Sequence, residues 1–545
     1  MSVEIKTQVP HQGLIPMPKS TSAHIIRRRQ VEILPNENTN FKYSQNDRIV
    51  FNISSQNEML DGLNSYLKFD LTCTYNGASS DLVALSEGGA HCLFKSVELR
   101  TQNGTLLERI DRYNRWYAMM SNLTHNPCHI ENIEGSCGDS MESDNVINLP
   151  YEKNAYDVTY DSTTATFTRA TGVLNLGTGR AKYDFEVDDL VAIRSDNAFQ
   201  TSAIGIVSAI TDDNTIVVRA GSTGADLSAG QIASVQVFKS GIILPMRAQA
   251  AQTSNFKINM KIALGMLSYA KWIPLMLIKQ GLQLVLELEN PTLALQYSHK
   301  PSVATSALDY TISSPRYVAN MVTPDDSLLA VYLNEFQSGG IHIPIIGYAH
   351  RRKTINTTES GDTVINHHFG VRSASAVFSF IQGQSISETD GNVAKVNDSI
   401  STFLKSKVKK YQYQSGSEQY PQKQVEWEDG SGFEAFQQAM LATNQFGSTL
   451  WDVRFHPSKW LEQNKLYNSN SDNFLDDQSV KFVMATKLAR NDDNFTGLDL
   501  SINPLDLMVN FEGVDDANFG QRIINTFVAH DVLVSISSSG LVVRK

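Results

Sequence analysis

Apolar and polar residues alternate most cleanly near the middle of the chain. After Ile273-Pro274-Leu275 comes Gly281, and then Leu282, Leu284, Leu286 and Leu288 fall on one side of an extended backbone. Gln283, Glu287 and Glu289 fall on the other, with Val285 the one apolar exception. A period of two predicts a strand with one buried face. The C-terminus repeats the pattern: Val532, Val534 and Ile536 alternate, Gly540 turns the chain, and Leu541-Val542-Val543 follows. Each half thus closes on an alternating strand, which predicts two β-sandwiches in tandem.

Further strands are predicted at Arg48–Ile53, at Leu67–Leu71 and around Val97 and Leu99, the last preceded by a turn at Gly88-Gly89. The period then changes. Leu106, Ile110, Tyr113, Tyr117 and Met120 fall at four-three spacing, which predicts a helix ending near Asn122, before Pro127. From Tyr156 to Lys239 the chain is rich in Thr, Ser, Asp and Gly between short apolar runs: Phe185–Val187, Leu190–Ile193, Ala203–Ile210, Thr215–Val218, and Val235 with Val237. That texture predicts a small β-barrel-like insertion in a loop of the first sandwich. Strands resume at Ile242–Leu244 and Phe256–Met260. In the second half, Ala376, Phe378 and Phe380 predict a strand, and Phe433, Phe436 and Met440 a short helix, as does Leu328–Phe336.

The divisions expected are an N-terminal arm over 1–35, a first sandwich over 36–305 hosting the insertion at 156–239, a Pro-rich connector over 306–339, and a second sandwich over 340–545. A chain of 545 residues exceeds one core, in keeping with several domains. Its net charge of -11 argues against general nucleic-acid binding, which needs clustered Lys and Arg. The exception is the arm. Lys6, Lys19, Arg27, Arg28 and Arg29 stand against the single acid Glu4, and Pro10, Pro16 and Pro18 interrupt any helix. It reads either as a solvated tail or as an arm that orders against a partner.

Four cysteines, Cys73, Cys92, Cys128 and Cys137, are too few for a disulfide framework. No signal peptide opens the sequence, and the window Trp272–Leu288 is broken by Pro274, Lys279, Gln280 and Gly281, so it predicts no membrane span. His125, Cys128, His129 and Cys137 offer soft ligands, yet Pro127 breaks a helical His face and the paired Cys spacing is missing. His367-His368 reads as an exposed or edge-strand pair, and Asp212-Asp213-Asn214 as a turn. Tyr113/Trp116/Tyr117 and Tyr411/Tyr413/Tyr420 read as core or subunit-interface aromatics rather than ligand platforms. There is no phosphate loop, dinucleotide fingerprint or nucleophile elbow. The reading is therefore of a non-enzymatic chain with no catalytic, cofactor-binding or metal residues.

The order of several segments resembles the double jelly-roll major capsid proteins of double-stranded DNA viruses, in particular those of virophages and polinton-like viruses. The segments are Leu63–Phe69, Phe94–Leu99 followed by Asn103-Gly104 and Glu108–Tyr113, Ile273–Leu275 with Leu282–Leu288, Tyr411–Pro421, and Ser501–Leu507 before His530-Asp531. The resemblance implies an all-β fold of two tandem jelly rolls with short helices. It also implies a pseudo-hexagonal homotrimer that tiles an icosahedral shell, located in the virion and assembled inside the host cell. The implied partners are further copies of the chain, minor capsid and penton proteins, an inner membrane or packaged DNA through the arm at Arg27, Arg28 and Arg29, and a host receptor through the insertion. The alternative is a carbohydrate-binding β-sandwich surface protein or adhesin, which a signal peptide would favour. A glycosidase on a jelly roll would need two carboxylates about 5–10 Å apart, which a sequence does not show.

Overall fold

Strands form where the period of two was clean, and the two halves repeat one strand order. The computed structural model describes residues 25–75, 83–85, 89–124, 156–161, 166–168, 173–175, 190–195, 203–212, 214–220, 231–233, 235–240, 252–297, 308–356, 358–383, 400, 403, 407–426, 433–444, 466–467, 474–475, 482–491, 495–512, 521–538 and 540–544.

In the first half the strands are β1 (Ile25–Ile33), β2 (Arg48–Ile53), β3 (Met59–Tyr75), β4 (Phe94–Thr101), β5 (Leu106–Asp111), β6 (Gln252–Met260), β7 (Leu282–Leu288) and β8 (Leu308–Pro324). In the second they are β9 (Ile341–Ile355), β10 (Gly361–His367), β11 (Ala374–Gly383), β12 (Val408–Ser415), β13 (Glu418–Glu426), β14 (Met484–Lys487), β15 (Leu505–Phe511) and β16 (Arg522–Ser537), with β17 (Gly540–Arg544) as a final hairpin strand. The first half pairs them as β1-β8-β3-β6 and β2-β7-β4-β5. The second half pairs them as β9-β16-β11-β14 and β10-β15-β12-β13. Adding eight to every label converts one half into the other. Each half also adds one strand outside this order, Asn40–Phe41 on β8 and β17 on β16. Two antiparallel sheets with these crossovers, facing each other, make a jelly roll, so the chain is two tandem jelly rolls.

Each roll buries its inward-facing residues. Leu282, Leu284, Leu286 and Leu288 are fully buried, against Phe51, Phe69, Val97 and Leu99. Val285, on the outer side of β7, is buried too, so that face is partly covered. In the second roll two tyrosines of β12 cross the core. Tyr411 Oη donates to the Ala485 carbonyl at 3.1 Å and Tyr413 Oη to that of Met484 at 3.0 Å, pinning the short strand β14 to the opposite sheet. A buried phenol needs such a partner.

Three expectations are corrected. Leu106 and Ile110 belong to strand β5, not to a helix. The helix α1 starts at Tyr113 and runs to Thr124, after Arg112 adopts φ +55° and breaks the two elements apart. The stretch expected as a connector begins with β8, whose 17 residues pair with β1 and β3 as a central strand of the first roll. Its Pro315 is accommodated at a ladder irregularity between Ser313 and Arg316, beside Ser314 at φ +49°. Only α2 (Asp326–Ser338), capped by Asp325 accepting from the Leu328 amide at 2.8 Å, links the rolls. Third, residues 25–33 are not free arm. They are β1, an edge strand in register with β8 from Ile25↔Pro324 to Ile33↔Tyr317.

The insertion is a sheet of its own. Its eight strands lie between Tyr156 and Ser240, all pair antiparallel, and share no ladder with the jelly-roll sheets. Among the described residues the ladder is open, running from Gln231–Ala233 at one end to Tyr156–Asp161 at the other. Leu174, Val207, Ile216 and Val218 are buried within it and are not part of the large core that the two rolls share. Asp212 Oδ1 accepts from the Asn214 amide at 2.7 Å, the turn expected there. Tyr156 is the strand partner of Ser240, so the first and last residues of the sheet are neighbours. The expected strands at 185–187 and 242–244 lie outside the described residues.

Candidate functional site

The features with functional consequence are the seam that joins the rolls and the two ends from which the appendages leave. The seam starts with α1. Its second and third residues, Asn114 and Arg115, are buried, and so is Glu289 after β7. Asn114 Nδ2 donates to Glu289 Oε2 at 2.8 Å, and Arg115 lies 3.8 Å from the same oxygen. Arg115 Nε then reaches across to the second roll, donating to Gln382 Oε1 at 3.0 Å. Gln382 Nε2 donates onward to the Ile400 carbonyl at 2.9 Å, Asn525 Nδ2 donates to Gln382 Oε1 at 3.3 Å, and His350 Nε2 lies 3.1 Å from Asn525 Oδ1. Burial pulls the Arg115 pKa down to about 10, with Glu289 opposing, so the guanidinium stays charged at neutral pH. Burial also pulls His350 down to about 4, against its hydrogen bond to Asn525, so it is neutral there.

Below this network the seam is apolar and close. Trp116 packs on Tyr348 with ring centroids 4.7 Å apart. The buried Glu108 carboxylate of β5 accepts from the amides of Gly265 at 2.7 Å and Met266 at 3.0 Å, fixing the segment between β6 and β7. A Cβ on Gly265 would sit 2.7 Å from the Ile346 carbonyl oxygen, so glycine there permits the rolls to touch. Sequence reasoning placed Tyr113, Trp116 and Tyr117 in a core or interface, and the structure puts Trp116 between the rolls. It missed Arg115, Glu289 and Glu108, because a buried charge carries no local pattern.

The topology gives the molecule two distinct ends. Connections β2–β3, β4–β5 and β6–β7 lie at one, called lower here; β3–β4, β5–β6 and β7–β8 lie at the upper end. The first ordered pair, Ile25↔Pro324, is lower, next to Val322↔Met59. The pair Tyr75↔Gln252, where the chain returns from the insertion, is upper. Strand β3 spans the interval in 17 residues, about 50 Å at a strand's rise per residue. Residues before Ile25 and the insertion therefore attach at opposite ends. Strand β9 begins at the lower end as β1 does, so the two rolls point the same way.

The arginines expected to form an assembly arm lie on β1 at the lower end. Arg29 forms two hydrogen bonds to Glu58, at 2.7 and 2.8 Å, and Arg28 pairs with Asp61. The Arg29 hydrogen bond holds the Glu58 carboxyl below its usual range, with Arg27 adding to the effect from a distance. Arg28 and Arg29 thus fasten the edge strand to the start of β3 and to Glu58 just before it, and the basic run is structural at two of its three positions. His367 is the last residue of the edge strand β10 and is buried, hydrogen-bonded to Thr526 Oγ1 at 3.1 Å, while His368 just beyond it is exposed, in keeping with the exposed or edge-strand pair expected. Among the described residues no three His, Cys, Asp or Glu side chains group to hold a metal. The His125–Cys137 cluster lies outside the described residues.

Solved structures similar to this chain include the Faustovirus major capsid protein, at 8% identity and a TM-score of 0.49, covering 97% of this chain and 94% of that one. A chain of the Sputnik virophage matches at 11% identity and a TM-score of 0.48, covering 98% and 91%. The mavirus major capsid protein matches at 10% identity and a TM-score of 0.37, covering 96% and 93%. No protein-family model and no curated protein matches the sequence.

Proposed function

We propose that this chain is a major capsid protein whose homotrimers are pseudo-hexagonal capsomers of an icosahedral viral shell. The observation that supports this reading is the duplication itself. Two rolls of one topology are fused through a buried seam and point the same way. A rigid two-lobed block suits tiling, and three such blocks supply six lobes. The work of the molecule is then contact rather than chemistry: many lateral contacts between stiff units.

The opposite attachment of the appendages supports a polarity. The lower end, with the segment before Ile25, faces the shell interior, where minor capsid and penton proteins, an inner membrane or packaged DNA would meet it. The upper end carries the insertion outward, where it is available to a host receptor. Light scattering on the purified chain tests the reading. A mass near three times 60.4 kDa is expected, and a monodisperse monomer at assembly-relevant concentration and salt would count against it.

A further inference from the structure

Strand β5 of the first roll and strand β9 of the second run side by side in the seam, with Cα atoms within 8 Å of each other. Both run from the lower end to the upper. They draw level at Gly265, whose amide donates to Glu108 of β5 and whose α-carbon packs against the Ile346 carbonyl of β9. Further up, β5 ends and Arg112 follows it, while β9 carries His350 and Arg352 on one face by its period of two. Arg112 and Arg352 are both half-buried. The upper mouth of the seam is thus lined by an arginine from each roll.

The buried network lies directly beneath. Arg352 is the ladder partner of Asn525, whose side chain donates to Gln382 Oε1, the oxygen that Arg115 also reaches. Arg112 opens α1, its carbonyl accepting from the Trp116 amide at 3.0 Å. Burial lowers the Arg115 pKa first, then Arg112, with Arg352 acting in the same direction. Burial lowers that of His350 too, and Arg112 and Arg115 add to it. The acids here are committed. Glu289 is buried on Asn114 and Arg115, and Asp111, which opposes the arginines at His350, accepts from Arg109 Nε at 2.7 Å. Among the described residues Arg112 forms no ion pair. Its backbone, at φ +55°, lies in the left-handed region that suits glycine. A cation is therefore held against its backbone preference, without a counter-charge, over a seam that already buries one arginine. Strain of this kind collects where a ligand is gripped.

We infer that the upper mouth of the seam binds a tetrahedral oxyanion, a phosphate or sulfate group, between Arg112 of the first roll and Arg352 of the second, above Arg115. The planar guanidinium meets such oxygens with paired, charge-assisted hydrogen bonds. Bound there, the anion supplies the missing negative charge and ties one roll to the other. Two sources carry this chemistry: a free ion and a sulfated sugar. The site lies within one chain and does not rest on the trimeric reading.

The test uses full-length chains at constant ionic strength, titrated with inorganic phosphate and, separately, with a heparin-derived sulfated disaccharide. Calorimetry reads binding and thermal melting reads stability. Saturable binding with a raised melting temperature is expected, because a ligand of the folded state alone stabilises it. Binding of phosphate alone assigns a free ion, and tighter binding of the disaccharide assigns a sugar-borne group. Arg112→Gln and Arg352→Gln, singly and together, keep the buried Arg115. The double variant should weaken binding by about tenfold or more, and each single variant by less. Lys68→Gln, an exposed lysine on β3, should leave it unchanged. Circular dichroism confirms folding, and the single variants decide the matter if the double variant does not fold. A wild-type chain that neither probe stabilises over chloride would overturn the site. So would arginine variants that fold and bind as the wild-type chain does.

Discussion

At the scale of single residues, the seam depends on a charge removed from water. Arg115 and Glu289 are both about 1% exposed, and Gln382 lies on the other roll. Removing one member of a buried pair leaves the other uncompensated, at a cost of about 3–5 kcal/mol. Arg115→Ala should therefore lower the melting temperature markedly and loosen one roll from the other, so that limited proteolysis cuts between them at α2. A melting temperature within one or two degrees of the wild-type chain would show that the pair is dispensable. Two histidines set a pH dependence. His350 and His367 both have pKa values lowered to about 4 by burial, against about 6.5 when unfolded. Between those values the unfolded chain binds protons that the folded chain refuses. Stability is therefore full above about pH 6.5 and falls as pH drops towards 4, by on the order of 2–3 kcal/mol per histidine. Thermal melts from pH 7.5 to 4.5 should show that decline, and changing both histidines to Gln should flatten it. An unchanged slope in the double variant would exclude them as its source.

Among the elements, the insertion is the most separable. Its terminal residues Tyr156 and Ser240 are strand partners, and its described buried residues, Leu174, Val207, Ile216 and Val218, lie outside the core of the rolls. Replacing 156–240 by a short Gly/Ser linker should leave a soluble protein with the melting behaviour of the two rolls. Loss of folded protein would mean that the jelly roll needs those strands. Strand β1 is the opposite case, held at its lower end by Arg28 and Arg29. Changing both to Ala should speed amide exchange along β1 while the β3–β8 ladder stays protected. Equal exchange in both proteins would return the arginines to the role of a free arm. Strands that alternate over a buried core were legible in sequence: Arg48–Ile53 and Leu282–Leu288 fall where expected. The helix signal misled at Leu106, because a strand followed directly by a helix places apolar residues at spacings that mimic one long helix. Strand β1 was hidden because its basic, exposed residues are those of a sheet edge, which looks like a tail without its partner. Proline content suggested a connector over β8, where the ladder absorbs Pro315 in an irregularity and ends at Pro324.

For the whole molecule, two jelly rolls of one strand order stand side by side, pointing the same way, with appendages at opposite ends. The seam within the chain holds its two rolls together. That three such chains close into one pseudo-hexagonal ring is the central proposal. Electron microscopy of the purified wild-type chain, averaged in projection, tests it most directly. The account predicts six-lobed hexagonal particles with three-fold symmetry and a mass three times 60.4 kDa. Two-lobed single chains, or two-fold dimers, at the same concentration and salt would contradict it.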